Sequence, residues 1–452
     1  MKRVMIVGAG EIGAFIAERF AAEHMDVTVM DEDPGALSAL RNTLDVAAIE
    51  GNGANIDTLI EGGAQNADLF IAATQSDETN LILCLLAHEL KVTNKIAVTR
   101  MISGQENGDR FGYDRLGINL IVNINEALRD QVLEVIESPG VSEIASFADG
   151  QIILIGHQID GKSNFLGKTV AEVTGDRAES FFHVASVVRH RKLVTPKPKL
   201  CLEEDDYLYL ITTQELLPIL KSLLRVETIR SRTAVIYGDN RLAQLLAASL
   251  LDRHFRVTML TESAERAAQL REQFHLRRHF LVETGAGTEI RLLRRVKVGS
   301  TSVFFAATGD DATNLTACMA AKHLGAGKTI ANIRRNDILA LCHHAGVDVN
   351  VAPRLAAAKV IQKAVHEGRL LDYRPVSQTN LEVVELAVSP GSKLAGTRIR
   401  KLKLPAGAIV GGVVSNGEAA LPTPETVIHA NDKVIVLTLP EVLVEVENLF
   451  TG

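Results

Sequence analysis

Tryptophan is absent from the 452-residue sequence, and aromatic residues make up only 4% of it. Proteins that read stacked bases or sugar rings usually present more aromatic surface. An excess of basic charge is missing as well. The formal net charge is −7, so no whole-surface field draws in nucleic acid and no nucleic-acid partner is expected. No apolar run approaches the roughly 18–20 residues needed to span a bilayer. The opening Met1-Lys2-Arg3 leads straight into a buried-strand pattern, so no signal peptide is expected. The four cysteines, Cys84, Cys201, Cys318 and Cys342, are scattered and form no Cys-x-x-Cys. That usage suits a reduced, cytoplasmic setting.

What remains is ordinary globular material, 46% hydrophobic and 23% charged. At about 150 residues per domain, the length suggests roughly three domains. An internal repeat changes that division. Gly8 aligns with Gly238 and Val27-Thr28 with Val257-Thr258, both 230 positions later. FIAATQSDETNLILC (70–84) matches FFAATGDDATNLTAC (304–318) at an offset of 234. LGINLIVN (116–123) matches AGVDVNVA (345–352) at 229, and insertions of a few residues account for the drift. Many collinear matches in one order make this a duplication.

Each half has two parts. The first alternates short apolar strands with amphipathic helices. Strands are predicted at 4–7, 27–30, 46–49, 69–73, 96–99 and 120–122, with a helix at 12–22. Nearly all-apolar strands alternating with helices predict a parallel sheet covered on both faces. After Ser138-Pro139-Gly140 the pattern turns to alternating runs, such as IILIGHQI (152–159) and YLYLIT (207–212), with a helix at 213–224. The second half repeats the switch near Tyr373-Arg374-Pro375, with runs at 381–388, 409–414 and 433–438. The expected fold is α/β: two tandem copies of a Rossmann-like parallel-sheet lobe followed by a small α+β lobe. The lobes are placed at 1–124, 139–228, 232–353 and 372–452.

Gly8-Ala9-Gly10-Glu11-Ile12-Gly13 follows a strand and opens a helix. The first glycine permits the tight turn, the second lets a pyrophosphate approach the backbone, and the third lets helix pack on strand. The helix start adds exposed N–H groups and a favourable dipole. Asp31 ends the second strand, where a carboxylate can accept from a ribose hydroxyl and repel a 2′-phosphate. NAD(H) is therefore preferred over NADP(H), while ATP and ADP present the same ribose. Asn52, Thr74 and Arg100 follow later strands and complete the predicted site, with Asp77 and Asn80 opening the helix after Thr74.

The second loop reads Gly238-Asp239-Asn240-Arg241-Leu242-Ala243, and Thr261 replaces the ribose acid beside Glu262. A side chain at Asn240 and a negative charge at Asp239 weaken phosphate binding there. That lobe is expected to be empty, weaker or tuned to a different ligand such as ATP or ADP. No acid–base cluster of the kind a dehydrogenase needs is visible, so no catalytic residue is expected. Cys342-His343-His344 lacks the partners of a metal site, so no metal is expected. The basic stretches Arg277-Arg278-His279, Arg291 to Lys297 and Arg334-Arg335 read as solvated faces or intersubunit ion pairs.

On VMIVGAGEIG (4–13), VTVMDED (27–33), GNGAN (51–55) and ADLFIAATQSDETNL (67–81), with their echo FFAATGDDATNL (304–315), the chain resembles the TrkA family. These are the cytoplasmic regulatory components of bacterial Trk potassium uptake systems, built from tandem RCK units. The resemblance implies a homo-oligomeric ring, a tetramer, lying peripherally on the inner face of the cell membrane. It implies a TrkH- or TrkG-like potassium transporter as partner, and NAD(H), ATP or ADP as ligands that bias the ring and gate ion flow. Gly8, Gly10, Gly13 and Asp31 carry the family's dinucleotide motif, and Thr74 holds the position after the fourth strand. Two other readings compete: an NAD-dependent oxidoreductase on a duplicated Rossmann scaffold, and an RCK regulator of a different channel or antiporter.

Overall fold

The computed structural model describes all residues except 1, 102–112, 138–142, 176–179, 191, 225–230, 336–337, 340, 343–344, 367–369, 377–379 and 452. The lobe boundaries drawn at 139 and 228, and His343-His344, lie outside the described residues.

The first sheet is built from β1 (Arg3–Val7), β2 (Asp26–Asp31), β3 (Ala47–Glu50), β4 (Leu69–Ala72), β5 (Asn94–Thr99) and β6 (Leu120–Asn123). All five pairings are parallel and the spatial order is β3-β2-β1-β4-β5-β6. This is the doubly wound order, and its switch point lies between β1 and β4. The sequence explains the covering. All of β4 is buried, as is β1 after its first residue. Each fully buried Ile or Phe contributes about 1.5–3 kcal/mol, so both faces must carry helices. Those helices are α1 (Glu11–Ala22), α2 (Pro34–Thr43), α3 (Ile56–Glu61), α4 (Asp77–Glu89) and α5 (Ile124–Glu137). Their starts are written locally. Asp33 caps α2 through Gly35 N with Pro34 in the first turn, and Ser76 caps α4 through Thr79 N.

The second half repeats the sheet strand for strand. From edge to edge it runs Phe280–Thr284, Arg256–Thr261, Thr233–Tyr237, Val303–Ala306, Lys328–Asn332 and Val349–Val351. The step in offset from 230 to 234 falls between helix Ala264–Gln273 and strand Phe280–Thr284. There the second copy carries the additional exposed residues His275-Leu276-Arg277-Arg278.

The smaller parts are antiparallel. One five-stranded sheet runs Lys192–Val194, His183–Arg189, Tyr207–Thr213, Ile152–Gln158 and Glu143–Phe147. The other runs Leu370–Pro375, Glu382–Ala387, Lys433–Thr438, Ile409–Ser415 and Glu418–Ala420. One sequence expectation needs correction. The helix placed at 213–224 starts at Leu217, because Thr213 still belongs to its strand and Pro218 fixes the first turn.

Contacts divide the chain into two units, and each unit pairs like with like. The first holds residues 1–21, 25–139 and 228–358, which contain both parallel sheets. In it α5 packs against helix Arg241–Asp252, and Lys328 Nζ donates to Val135 O at 2.9 Å. The second holds residues 22–24, 140–227 and 359–452, which contain both antiparallel sheets. Its central core joins Phe147, Ile152, Tyr209 and Ile211 to Val383, Ile435 and Leu437.

Candidate functional site

Beyond the carboxyl ends of β1, β2 and β4 lies a cleft of about 510 Å³. The glycine loop makes its wall. Gly8 has φ +113°, and a Cβ there would stand 2.6 Å from the Ala73 carbonyl. A Cβ on Gly13 would stand 1.8 Å from Gly8 O, so α1 touches the turn backbone to backbone. Gly10 is the opposite case, with nothing within 4 Å of its missing side chain. Both Gly8 and Gly10 line the cleft. A helix starting this way leaves its first-turn N–H groups without intrahelical partners and aimed at the open space.

Asp31 lines the same cleft. Its Oδ2 accepts from Ala9 N at 2.5 Å and its Oδ1 from Asp33 N at 2.9 Å. The carboxylate is thereby pinned to the glycine loop with lone pairs left for a ligand hydroxyl. Glu32 and Asp33 also line the cleft, so this end is acidic and unsuited to a 2′-phosphate. Asn52 lines it too, its Oδ1 accepting from Ala54 N at 2.7 Å.

Thr74 is held by Asn80, which is fully buried. Asn80 Oδ1 accepts from Thr74 N at 2.9 Å and from Thr74 Oγ1 at 2.6 Å, while its Nδ2 donates to Val98 O at 2.7 Å. This one amide ties the loop after β4 to β5. Val7, Met30 and Leu83 supply apolar lining.

Of the predicted site residues, Gly8, Gly10, Asp31, Asn52 and Thr74 are brought together. Ala9, Glu11, Ile12, Gly13 and Arg100 are not among the residues lining the cleft. Ala9 serves through its N–H to Asp31, Ile12 is buried, and Gly13 is consumed in helix packing. Glu11 turns to Arg354, at 3.3 Å. The Arg100 guanidinium donates to Gln75 O at 3.0 Å, and its backbone N–H donates to Asp77 Oδ1 at 2.9 Å. It braces the loop from behind. Sequence reasoning missed Glu32, Gln75, Ser76 and Thr79 as lining residues, although the acid run after β2 and the capping serine before α4 were visible signals.

The second lobe has the same frame with a different filling. Gly238 repeats the turn, at φ +128°. Tyr237 stands where the first lobe has Val7. A Cβ on Gly287 would stand 2.4 Å from its ring, and its hydroxyl donates to Glu262 Oε1 at 2.5 Å. Burial raises the pKa of this phenol, and Glu262 adds to the shift. Asn240 Oδ1 accepts from Ala243 N at 3.0 Å, so the helix start is capped by its own side chain. Asp239 Oδ2 accepts from Thr261 Oγ1 at 2.6 Å, and Arg266 donates to Asp239 O at 3.1 Å. One first-turn donor, Ala243 N, thus has a side-chain partner here, and the Asp239 carboxylate is engaged by Thr261.

Among the described residues no group of three or more His, Cys, Asp or Glu is placed to hold a metal ion. Among them, too, no helix is long and apolar enough to cross a membrane.

The TrkA-N domain family model matches residues 4–124 and again 234–353, and the TrkA-C domain model matches 383–451. Curated relatives span the whole chain. The Trk system potassium uptake protein TrkA of Halomonas elongata is 27% identical over 99% of this chain and 98% of its own. A TrkA homolog of Archaeoglobus fulgidus is 28% identical over 99% and 100%. Among solved structures, the GsuK RCK domain aligns at TM-score 0.56 and 20% identity, covering 99% of this chain and 95% of that one. The GsuK channel bound to NAD aligns at TM-score 0.55 and 20% identity, covering 97% and 77%. At that identity the structures speak for the fold, which is the RCK fold in tandem. With its two glycine-loop lobes both matched and together making up more than half its length, the chain belongs to the TrkA-N domain family.

Proposed function

We propose that this protein is the cytoplasmic regulatory subunit of a Trk-type potassium uptake system. Its first lobe binds NAD(H) or an adenine nucleotide and thereby gates potassium flux through a membrane partner. The observation that carries the reading is the first-lobe cleft, with open backbone at Gly10 and a ribose-placed carboxylate at Asp31. The full-length relatives named for Trk potassium uptake support the partner class, and the NAD-bound GsuK channel supports the ligand class.

In this reading Gly8, Ala9, Gly10 and the α1 start hold pyrophosphate, Asp31 takes a ribose hydroxyl, and Asn52 and Thr74 orient the rest. Arg100 and Gly13 shape the loop. The lobes at 1–124, 139–228, 232–353 and 372–452 act as two pairs of a Rossmann lobe and a small lobe, of which the first carries the ligand cleft. The subunit assembles as a ring, a homotetramer, on a TrkH- or TrkG-like transporter at the inner membrane face, and it performs no turnover of its own. A ligand shifts such a ring only through differential affinity for its two states. Two ligands sharing one cleft, each favouring a different loop geometry, make a switch.

Titrating the purified protein with NADH, ADP and ATP, and then reading transporter flux under each, tests this. Asp31→Ala is expected to weaken NADH by about 1–3 kcal/mol, roughly fivefold to 150-fold. Unchanged affinity would remove Asp31 from the ribose role, and NADH oxidation by the protein alone would argue for an oxidoreductase. Calorimetry is also expected to count one nucleotide per chain, because Tyr237 and Asn240 fill and cap the second lobe. Two equivalent sites per chain would contradict that.

A further inference from the structure

The repeat places Arg354 where the first half has Asn125. The two side chains do the same local job: Asn125 Nδ2 donates to Arg100 O at 2.7 Å, and Arg354 Nη1 donates to Arg334 O at 2.5 Å. Arginine is longer, and the excess length crosses from the second Rossmann lobe to the first. Its Nη1 also reaches Glu11 Oε1 at 3.3 Å, and its guanidinium lies 5.7 Å from the Phe15 ring centroid. The Arg354 side chain is only 6% exposed, whereas Glu11 is 33% exposed.

Glu11 is the first residue of α1 and directly follows Gly10 in the cleft wall. A carboxylate suits an empty helix start, but it repels a phosphate bound at the same place. The charges around it are Arg354 and Arg334 on one side of the balance and Asp311 on the other. Arg354 is the one in hydrogen-bond contact.

We propose that Arg354, supplied by the second half of the chain, is a specificity-determining positioning residue for the first-lobe cleft. By neutralising Glu11 it sets how much phosphate charge that cleft accepts. The proposal rests on the nucleotide reading above and adds a determinant that the glycine motif does not contain. The second lobe contributes a charge to a site in the first, so packing of the two lobes and phosphate affinity change together.

Calorimetric titration with AMP, ADP and ATP, whose charge rises in that order, tests it on the full chain. Arg354→Gln keeps a donor for Arg334 O and removes the charge. It is expected to weaken ATP about tenfold, ADP less and AMP least. Glu11→Gln, on a side chain about a third exposed, is expected to tighten the same ligands in the same order. The double variant is expected to fall between the two, and high salt is expected to shrink every difference. A uniform factor for all three ligands in both variants would overturn the proposal in favour of simple packing, as would no change at all. A wild-type chain that binds NADH but none of the three rejects the Arg354 role alone, whereas one that binds none of the four fails the nucleotide reading and takes this one with it. Wild-type binding with ungraded variants rejects the Arg354 role alone.

Discussion

Replacing Gly13 with valine is expected to destroy the first lobe's glycine turn, lowering stability by more than about 3 kcal/mol and abolishing nucleotide binding. A Cβ at this position would stand 1.8 Å from Gly8 O and 3.0 Å from Gly8 C, both backbone atoms that no rotamer change can move aside. Gly8 is itself held in place, its N–H donating to Met30 O at 2.8 Å. The second lobe provides the calibration. Ala243 occupies the equivalent position, fully buried, in a turn whose helix start is capped by Asn240. Gly13→Ala is therefore expected to be the milder change, pulling the first turn towards the capped geometry and weakening nucleotide more than it lowers the melting temperature. Gly10→Ala separates binding from folding. Its methyl group would meet nothing within 4 Å and the residue does not sit at positive φ, so the fold should persist while phosphate approach is obstructed. Melting curves and NADH titrations on the three variants check this. A Gly13→Val chain with wild-type melting and affinity would refute the geometry.

Raising the pH from about 6.5 to beyond about 9 is expected to weaken the second unit by removing one proton from His366. The imidazole is 6% exposed and lies between two buried carboxylates. Its Nε2 is 3.0 Å from Glu23 Oε2 and its Nδ1 2.7 Å from Glu447 Oε1. Gln362 Nε2 donates to the other Glu23 oxygen at 2.5 Å. Burial disfavours the charged ring, but the hydrogen bonds to Glu23 and Glu447 prevail and hold its pKa at about 9. An unfolded histidine titrates near 6.5. The folded state therefore binds the proton more tightly, and the stabilisation is complete below about pH 6.5 and lost as pH rises through about 9. Its size is on the order of 3 kcal/mol. His366→Leu leaves both carboxylates buried around an apolar group, which costs about 3–5 kcal/mol. Denaturant midpoints measured across that pH range should fall for the wild type and stay nearly level for His366→Gln. Parallel curves would show that the proton sits elsewhere.

What the sequence made legible follows a physical rule. The repeat, the strand order and the glycine turn are local or periodic, so residues such as Gly8, Gly13 and the run Leu69 to Ala72 announce them. Asp31 could be placed because the strand that carries it ends at a known depth beside the loop. Asn80 reads as a helix-start residue, but its bond to Val98 O depends on how far β5 lies from β4. Arg354 meets Glu11 across 343 positions of chain, and His366 meets Glu23 across the same separation. No spacing within either segment encodes those meetings. The second-lobe loop was readable as a poorer phosphate site from Asp239 and Asn240. That Tyr237 supplies the filling was not, because Val and Tyr are equally good strand residues and only Gly287 opposite makes room for the ring.

The like-with-like pairing inside each unit has an evolutionary consequence. In a symmetric homodimer every substitution occurs on both sides of the interface, so the two members of a pair cannot specialise. Here the pair is written out twice in one chain. One copy carries Tyr237, Ala243 and Arg354 where its twin carries Val7, Gly13 and Asn125. Carried in one chain, the pair is an obligate heterodimer of fixed stoichiometry, in which each member can hold residues that its twin does not.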